Sequence, residues 1–259
     1  MVTLGLPFDQ VQMFLFVLVR VAAILFTLPF LEARNVPVLV KASLAVAMSV
    51  LLVPRLDIVV PSLLASPWLL AMGLLAEVGV GLAVGLTLQL LIAGIQLAGQ
   101  LAGFQMGFAI ANVMDPASSL QIPILSQFLN LFALLIFFAL NIHHYFIMAL
   151  MSSFERIPPF AARFDEQLMP LFMSLSGDVF VVALKVGAPI TVALLLSNVA
   201  LGLTARTVPQ MQLFIVAMPL KILMGIFFLG LSLPFCAAYF HRAFVDLGQT
   251  VIGMMRLFQ

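Results

Sequence analysis

Charge is what this sequence has least of: among 259 residues, 11 are Lys or Arg and 10 are Asp or Glu, 8% in all. Soluble domains typically carry about 25% charged residues. A chain that is 64% hydrophobic therefore lacks the polar material to cover a water-facing surface. A soluble enzyme and a nucleic-acid binder are excluded on that ground, and a formal net charge of +1 creates no field that would steer phosphates or an acidic partner. Cysteine is nearly absent as well. Cys236 alone cannot close an internal disulfide, no CxxC or Cys/His spacing suits a metal, and the residue reads as a small apolar filler within Leu231 to Ala238.

Catalytic patterns are missing in the same way. There is no GxxxxGK[ST] phosphate loop and no GxSxG elbow, and Ser118 and Ser119 have no nearby His or Lys to activate them. His143 and His144 are adjacent, which places them on different sides of a helix and suits no i, i+4 metal pair. The expectation is a protein without catalytic residues, cofactor or metal. The first ten residues hold only the acidic Asp9 in place of a basic secretory start, so the N-terminal apolar stretch is expected to stay in the mature chain.

What the sequence does have is long apolar stretches. At ~20 residues per span the length allows roughly six or seven, and the expected class is an all-α polytopic membrane protein of about six long helices. Val11 to Leu31 reads as a first helix with Arg20 inside it, and Val36 to Val53 as a second, ended by Pro54 and the polar turn Arg55 to Asp57. From Pro67 the chain passes Glu77 and meets no further charge until Asp115, a gap of 37 residues. As one helix that gap would reach ~55 Å against a hydrocarbon core of ~30 Å, so a break, a tilt or an exit is expected there. Ile124 to Met151 reads as one long helix.

Polar residues and prolines then crowd together: Glu155, Arg156, Pro158, Pro159, Arg163, Asp165, Glu166 and Pro170 fall within 16 residues. That stretch reads as a boundary, giving 1–154 as one half, 155–170 as a connection and 171–259 as the other. The second half holds two apolar helices, Leu175 to Ala205 and Met211 to Tyr239, joined by the turn Arg206 to Gln210 into a hairpin, with an amphipathic tail from His241 to Gln259. The positive-inside rule yields no orientation, because Arg34, Arg55, Arg156, Arg206 and Arg242 are scattered over nearly every connection. Either that signal is noisy or the helices do not cross the bilayer in simple succession.

Three groups of residues stand out. Arg20, Glu77, Lys185 and Lys221 are charges inside apolar stretches, each costing ~2.5–3.5 kcal/mol against lipid at mid-bilayer, so they should face protein or water. A proton relay is one reading; charges satisfied at helix contacts or at an aqueous boundary is the other, and a relay would want more carboxylates than Glu77 alone. Second, Gly85, Gln89, Gln96, Gln100, Gly103 and Gly107 recur at steps of 4, 7, 4, 3 and 4, one face of an α-helix, polar without charge. The pairs Gly81/Gly85, Gly99/Gly103 and Gly103/Gly107 would admit close backbone approach, so this face reads as helix packing or as the lining of a passage.

Third, Gln105, Met106, Gly107, Phe108, Ala109, Ile110, Ala111, Asn112, Val113, Met114, Asp115 and Pro116 follow that face. Gly107 can close the preceding helix and Asp115-Pro116 can start the next, which makes the interval an apolar loop. Irregular backbone at membrane depth is tolerated only where protein buries it or water lines it. Phe and Met there could form a deformable constriction, or the loop could simply be buried for packing.

On these residues the chain resembles the FliR and type III secretion T-component family of export-gate proteins. Gln105-Met106-Gly107-Phe108 through Asp115-Pro116 carries the likeness, with Pro123, the Phe/Leu-rich helix to Asn141, Thr27-Leu28-Pro29 and Ile157-Pro158 in support. The flagellar pattern fits more closely than that of the virulence systems. The resemblance implies a non-enzymatic subunit of the flagellar type III gate, passing unfolded flagellar subunits from the cytoplasm, with a FliP-like N-terminal half and a FliQ-like C-terminal hairpin. Ala188-Pro189 and Pro219-x-Lys221 match the FliQ pattern. Implied partners are FliP and FliQ subunits, FlhB, membrane lipid and the unfolded cargo, with no nucleic acid. The implied location is the bacterial inner membrane at the flagellar basal body, raised toward the periplasm in the assembly. The family's plug loop maps onto Gln105 to Pro116, with Phe108 and Ile110 as its bulky members. A small-solute or ion transporter is the competing class, disfavoured because the two halves are not matched repeats. An intramembrane hydrolase is disfavoured for want of a nucleophile and base.

Overall fold

The computed structural model describes residues 8–32, 36–56, 67–108, 124–159, 162, 164–207 and 213–258. Among these, eight α-helices and two 3₁₀ turns carry nearly all of the chain, with no strand. The first apolar stretch forms α1 (Phe8–Thr27) and the short α2 (Pro29–Glu32) rather than one helix. The break falls at Leu28, since a residue before proline is pushed out of the α region and Pro29 is suited to a first helical position. Thr27 Oγ1 also donates back to the carbonyls of Ala23 (2.9 Å) and Ile24 (2.8 Å), a competition that weakens the last turn. Helix α3 (Val38–Leu52) tightens into a 3₁₀ turn, Val53–Arg55, where Pro54 has no N–H to give.

Helix α4 (Pro67–Met106) runs 40 residues through Glu77 without interruption and stops at Gly107, whose φ of 92° no side-chain-bearing residue adopts cheaply. The break expected in the charge-free gap thus lies at its far end. Two expectations are corrected downstream. Ile124 to Met151 is not one helix: α5 (Ile124–Ala139) and α6 (Ile142–Arg156) are separated at Asn141, which sits at φ 55° and ψ 29°. Asn is among the few non-glycine residues that enter this left-handed region readily, and the apolar composition on both sides conceals the stop. The hairpin's second helix also does not end near Tyr239. Helix α7 (Leu168–Thr207) is followed by α8 (Leu213–Met255), 43 residues that absorb the amphipathic tail before a final 3₁₀ turn, Arg256–Phe258. His241, Arg242 and Asp246 look like an end in sequence, yet Phe244, Leu247, Val251 and Met254 recur at helical spacing and are buried.

Five helices, or six with α5 and α6 taken as one broken span, are long and apolar enough to cross a membrane. The chain divides into two compact units, one from residues 1–90, 141–174 and 245–259 and the other from 91–140 and 175–244. In the first, Gly81 and Gly85 of α4 receive α1: a Cβ on Gly81 would fall 2.9 Å from the Arg20 carbonyl oxygen, and one on Gly85 would overlap the Thr27 side chain. The C-terminal turn closes on this unit through Phe258, edge-on to Phe164 at 5.5 Å between centroids. In the second unit Gly99 receives the start of α5, where a Cβ would meet the Ser126 amide nitrogen at 2.7 Å, and Ser126 Oγ donates to the Gln96 carbonyl at 2.9 Å. Phe137 of α5 meets Phe244 of α8 edge-on at 5.4 Å, a geometry worth ~0.5–1.5 kcal/mol beyond burial.

Candidate functional site

The four intrahelical charges that stand out in the sequence, Arg20, Glu77, Lys185 and Lys221, separate into two kinds. Arg20 and Glu77 are both fully buried and meet, with Arg20 Nε 2.5 Å from Glu77 Oε2. Arg20 Nη1 donates to the carbonyls of Ser153 (3.1 Å) and Ile157 (2.9 Å) at the end of α6, and the Phe154 ring lies 4.4 Å from the guanidinium carbon. One side chain of α1 is thereby tied to α4 by charge and to the end of α6 by two carbonyls, that of Ser153, which also accepts the Ile157 amide, and that of Ile157 just past the last turn. A guanidinium engaged on these sides is a fixed joint and not a carrier of protons. Lys185 and Lys221 belong to the other unit and are exposed and half-exposed respectively; Lys185 Nζ stands 5.8 Å from the centre of the Tyr239 ring.

Sequence reasoning placed Arg20 and Glu77 in the same class without pairing them, and it missed Ser153, Phe154 and the Ile157 carbonyl. The opposite signs of the two charges were the available signal. His143 and His144, expected on different sides of a helix, instead bring their rings to 4.3 Å at the first turn of α6. Among the described residues no three His, Cys, Asp or Glu side chains gather as a metal site.

The polar face of α4 is shared between the units. Gly85 and Gln89 lie in the first unit, Gly85 filled by α1 and Gln89 half-buried; Gln96, Gln100 and Gly103 lie in the second, the two glutamines half-buried. Gly103 has room, since a Cβ would meet nothing nearer than Leu125 Cβ and Phe108 Cδ2, both at 3.9 Å.

The apolar segment begins where this face ends. Gln105 is half-buried with its Oε1 enclosed and lacking a hydrogen-bond partner, Met106 is fully buried, and the Gly107 amide donates to the Phe104 carbonyl at 3.1 Å, a tightened last turn. Phe108, half-buried, follows the break. Ala109, Ile110, Asn112, Met114, Asp115 and Pro116 lie outside the described residues. Gly225 of α8, not singled out in the sequence, lies directly against Met106. Its signal would have been a glycine inside an apolar helix, shared with several others.

A family model described as bacterial export proteins, family 1, matches residues 11–247. Flagellar biosynthetic protein FliR of Bacillus subtilis (strain 168) is 36% identical over 217 residues, covering 83% of each chain. The protein of the same name from Escherichia coli (strain K12) is 32% identical over 233 residues, 89% of this chain and 87% of that one. Its counterpart in Aquifex aeolicus (strain VF5) is 28% identical over 227 residues, 88% and 87% of the two chains.

Proposed function

Because the chain belongs to the bacterial export proteins of family 1, we propose that it is a component of the flagellar export apparatus and a non-enzymatic subunit of its gate. In this reading it helps to form the channel through which unfolded flagellar subunits leave the cytoplasm, and residues 105–116 are the seal. It works in the bacterial inner membrane at the basal body, raised toward the periplasm, with FliP and FliQ subunits and FlhB as partners. Residues 1–154 act as the FliP-like half, 155–170 as the connection and 171–259 as the FliQ-like hairpin.

One observation carries the sealing role. An apolar helix of 40 residues, without charge beyond Glu77, stops at Gly107 with φ 92°, and a segment bearing Phe108 and Ile110 continues from there. Apolar chain leaving a helix at such a place belongs where protein encloses it or a passage needs closing. Bulky soft side chains exclude water and ions, and they part for a larger cargo without a chemical step.

The test replaces Phe108, Ala109 and Ile110 together with glycine in assembled complexes. Ion leak should rise while export of flagellar subunits persists. Leak equal to wild type, in complexes shown to contain the altered chain, would refute the seal.

A further inference from the structure

Met106, the last residue of α4, is fully buried. A Cβ built on Gly225 of α8 would come to 2.6 Å from its Cγ, its Sδ and its Cε alike. Ordinary contact between such atoms begins at about 3.5 Å, so the thioether occupies the Gly225 position along its length and only a residue without a side chain leaves that space. Relief by a small rotation is closed off, since the overlap includes Cγ as well as the flexible tip. Seven residues earlier, two turns along the same face of α8, stands Met218, whose Cε would lie 3.6 Å from a Cβ on Gly107. Helix α8 therefore presents a slot to Met106 and a side chain to Gly107.

We propose that Gly225 is a positioning residue of the gate. By seating Met106 it fixes where α4 ends and in which direction the chain departs toward Phe108. Glycine at Gly107 permits the turn but does not choose its direction, because glycine occupies many backbone conformations at similar energy. The choice falls to the neighbours, and here the neighbours are Met218 and the Gly225 slot. This assignment rests on residues 105–116 being the seal.

The test uses the full chain in assembled complexes and reads ion leak per complex beside export of flagellar subunits. Four variants are compared: Gly225→Ala, Met106→Ala, the two together, and the triple glycine replacement at Phe108, Ala109 and Ile110. Gly225→Ala should raise leak roughly fivefold or more, the effect of overpacking strain on a closed-state population. Met106→Ala should also leak, because the slot is then empty. The double replacement should leak less than Gly225→Ala alone, since the shortened side chain vacates the space that the new methyl group enters.

If the triple replacement leaks and Gly225→Ala does not, the positioning role is overturned while the seal stands. If neither leaks, the seal fails and the positioning role falls with it. Should Gly225→Ala reduce the amount of complex, the double replacement decides: recovered assembly with a tight seal supports the seat, and no recovery overturns it.

Discussion

Glu77→Leu is the perturbation whose cost follows most directly from the geometry. It removes the carboxylate 2.5 Å from Arg20 Nε and leaves a guanidinium enclosed on all sides with its charge uncompensated. Breaking a buried pair in this way costs ~3–5 kcal/mol. Replacing both partners, Arg20→Met with Glu77→Leu, removes the stranded charge and, on the Arg20 side, loses what Arg20 gives to α6. There the two carbonyls differ. That of Ser153 also accepts the Ile157 amide at 2.8 Å and stays satisfied, whereas the Ile157 carbonyl loses its 2.9 Å donor, for ~1–3 kcal/mol.

Thermal unfolding of the detergent-purified chain orders the variants. At ~2–4 °C per kcal/mol for a chain near this size, the single replacement should lower the midpoint by roughly 6–20 °C, and the double should recover part of it. A single-variant loss of about 2 °C, or a double no more stable than the single, would refute the joint.

Other positions test the packing. Gly99→Leu should lower the midpoint by ~1–3 kcal/mol equivalents because its Cβ would meet the Ser126 backbone nitrogen at 2.7 Å, whereas Gly103→Ala, with first contacts at 3.9 Å, should leave it unchanged or raise it. The reverse order in melting experiments would contradict the helix contacts described. At the break between α5 and α6, Asn141→Gly should be near neutral and Asn141→Ala should cost ~1–2 kcal/mol, since alanine at φ 55° is strained; equal stability of the two would count against the left-handed turn.

Much of the fold was legible because its causes are local. Pro54 acts through its own ring and Gly107 through its missing side chain, so each of those stops can be read at the residue that makes it, whereas the apolar residues on both sides of Pro29 hide the break before it. Fewer features were legible where the cause is distant or chemically quiet. Arg20 and Glu77 announced a need for partners, yet 57 residues separate them and nothing in either neighbourhood names the other. Asn141 breaks its helix within apolar sequence that composition would carry straight through. The charged residues after Tyr239 misled for the opposite reason: they mark only the outer face of a helix whose inner face stays apolar to Met255. For the candidate site, the helix stop at Gly107 could be foreseen and the Gly225 slot could not, because one glycine among many shows its purpose only when Met106 fills the space beside it.

The length of α4 has a further consequence. Its 40 residues make a rod of ~60 Å, and to fit inside ~30 Å of hydrocarbon it would have to lean by about 60°, beyond the ~0–40° that membrane helices adopt. About half of its length thus outruns the lipid and needs polypeptide as cover, of which this chain supplies a large part, since 56% of the helix is already buried within it. In the gate proposed above the neighbouring subunits supply the rest of that cover, so a chain made without them should be degraded faster in cells than the assembled one.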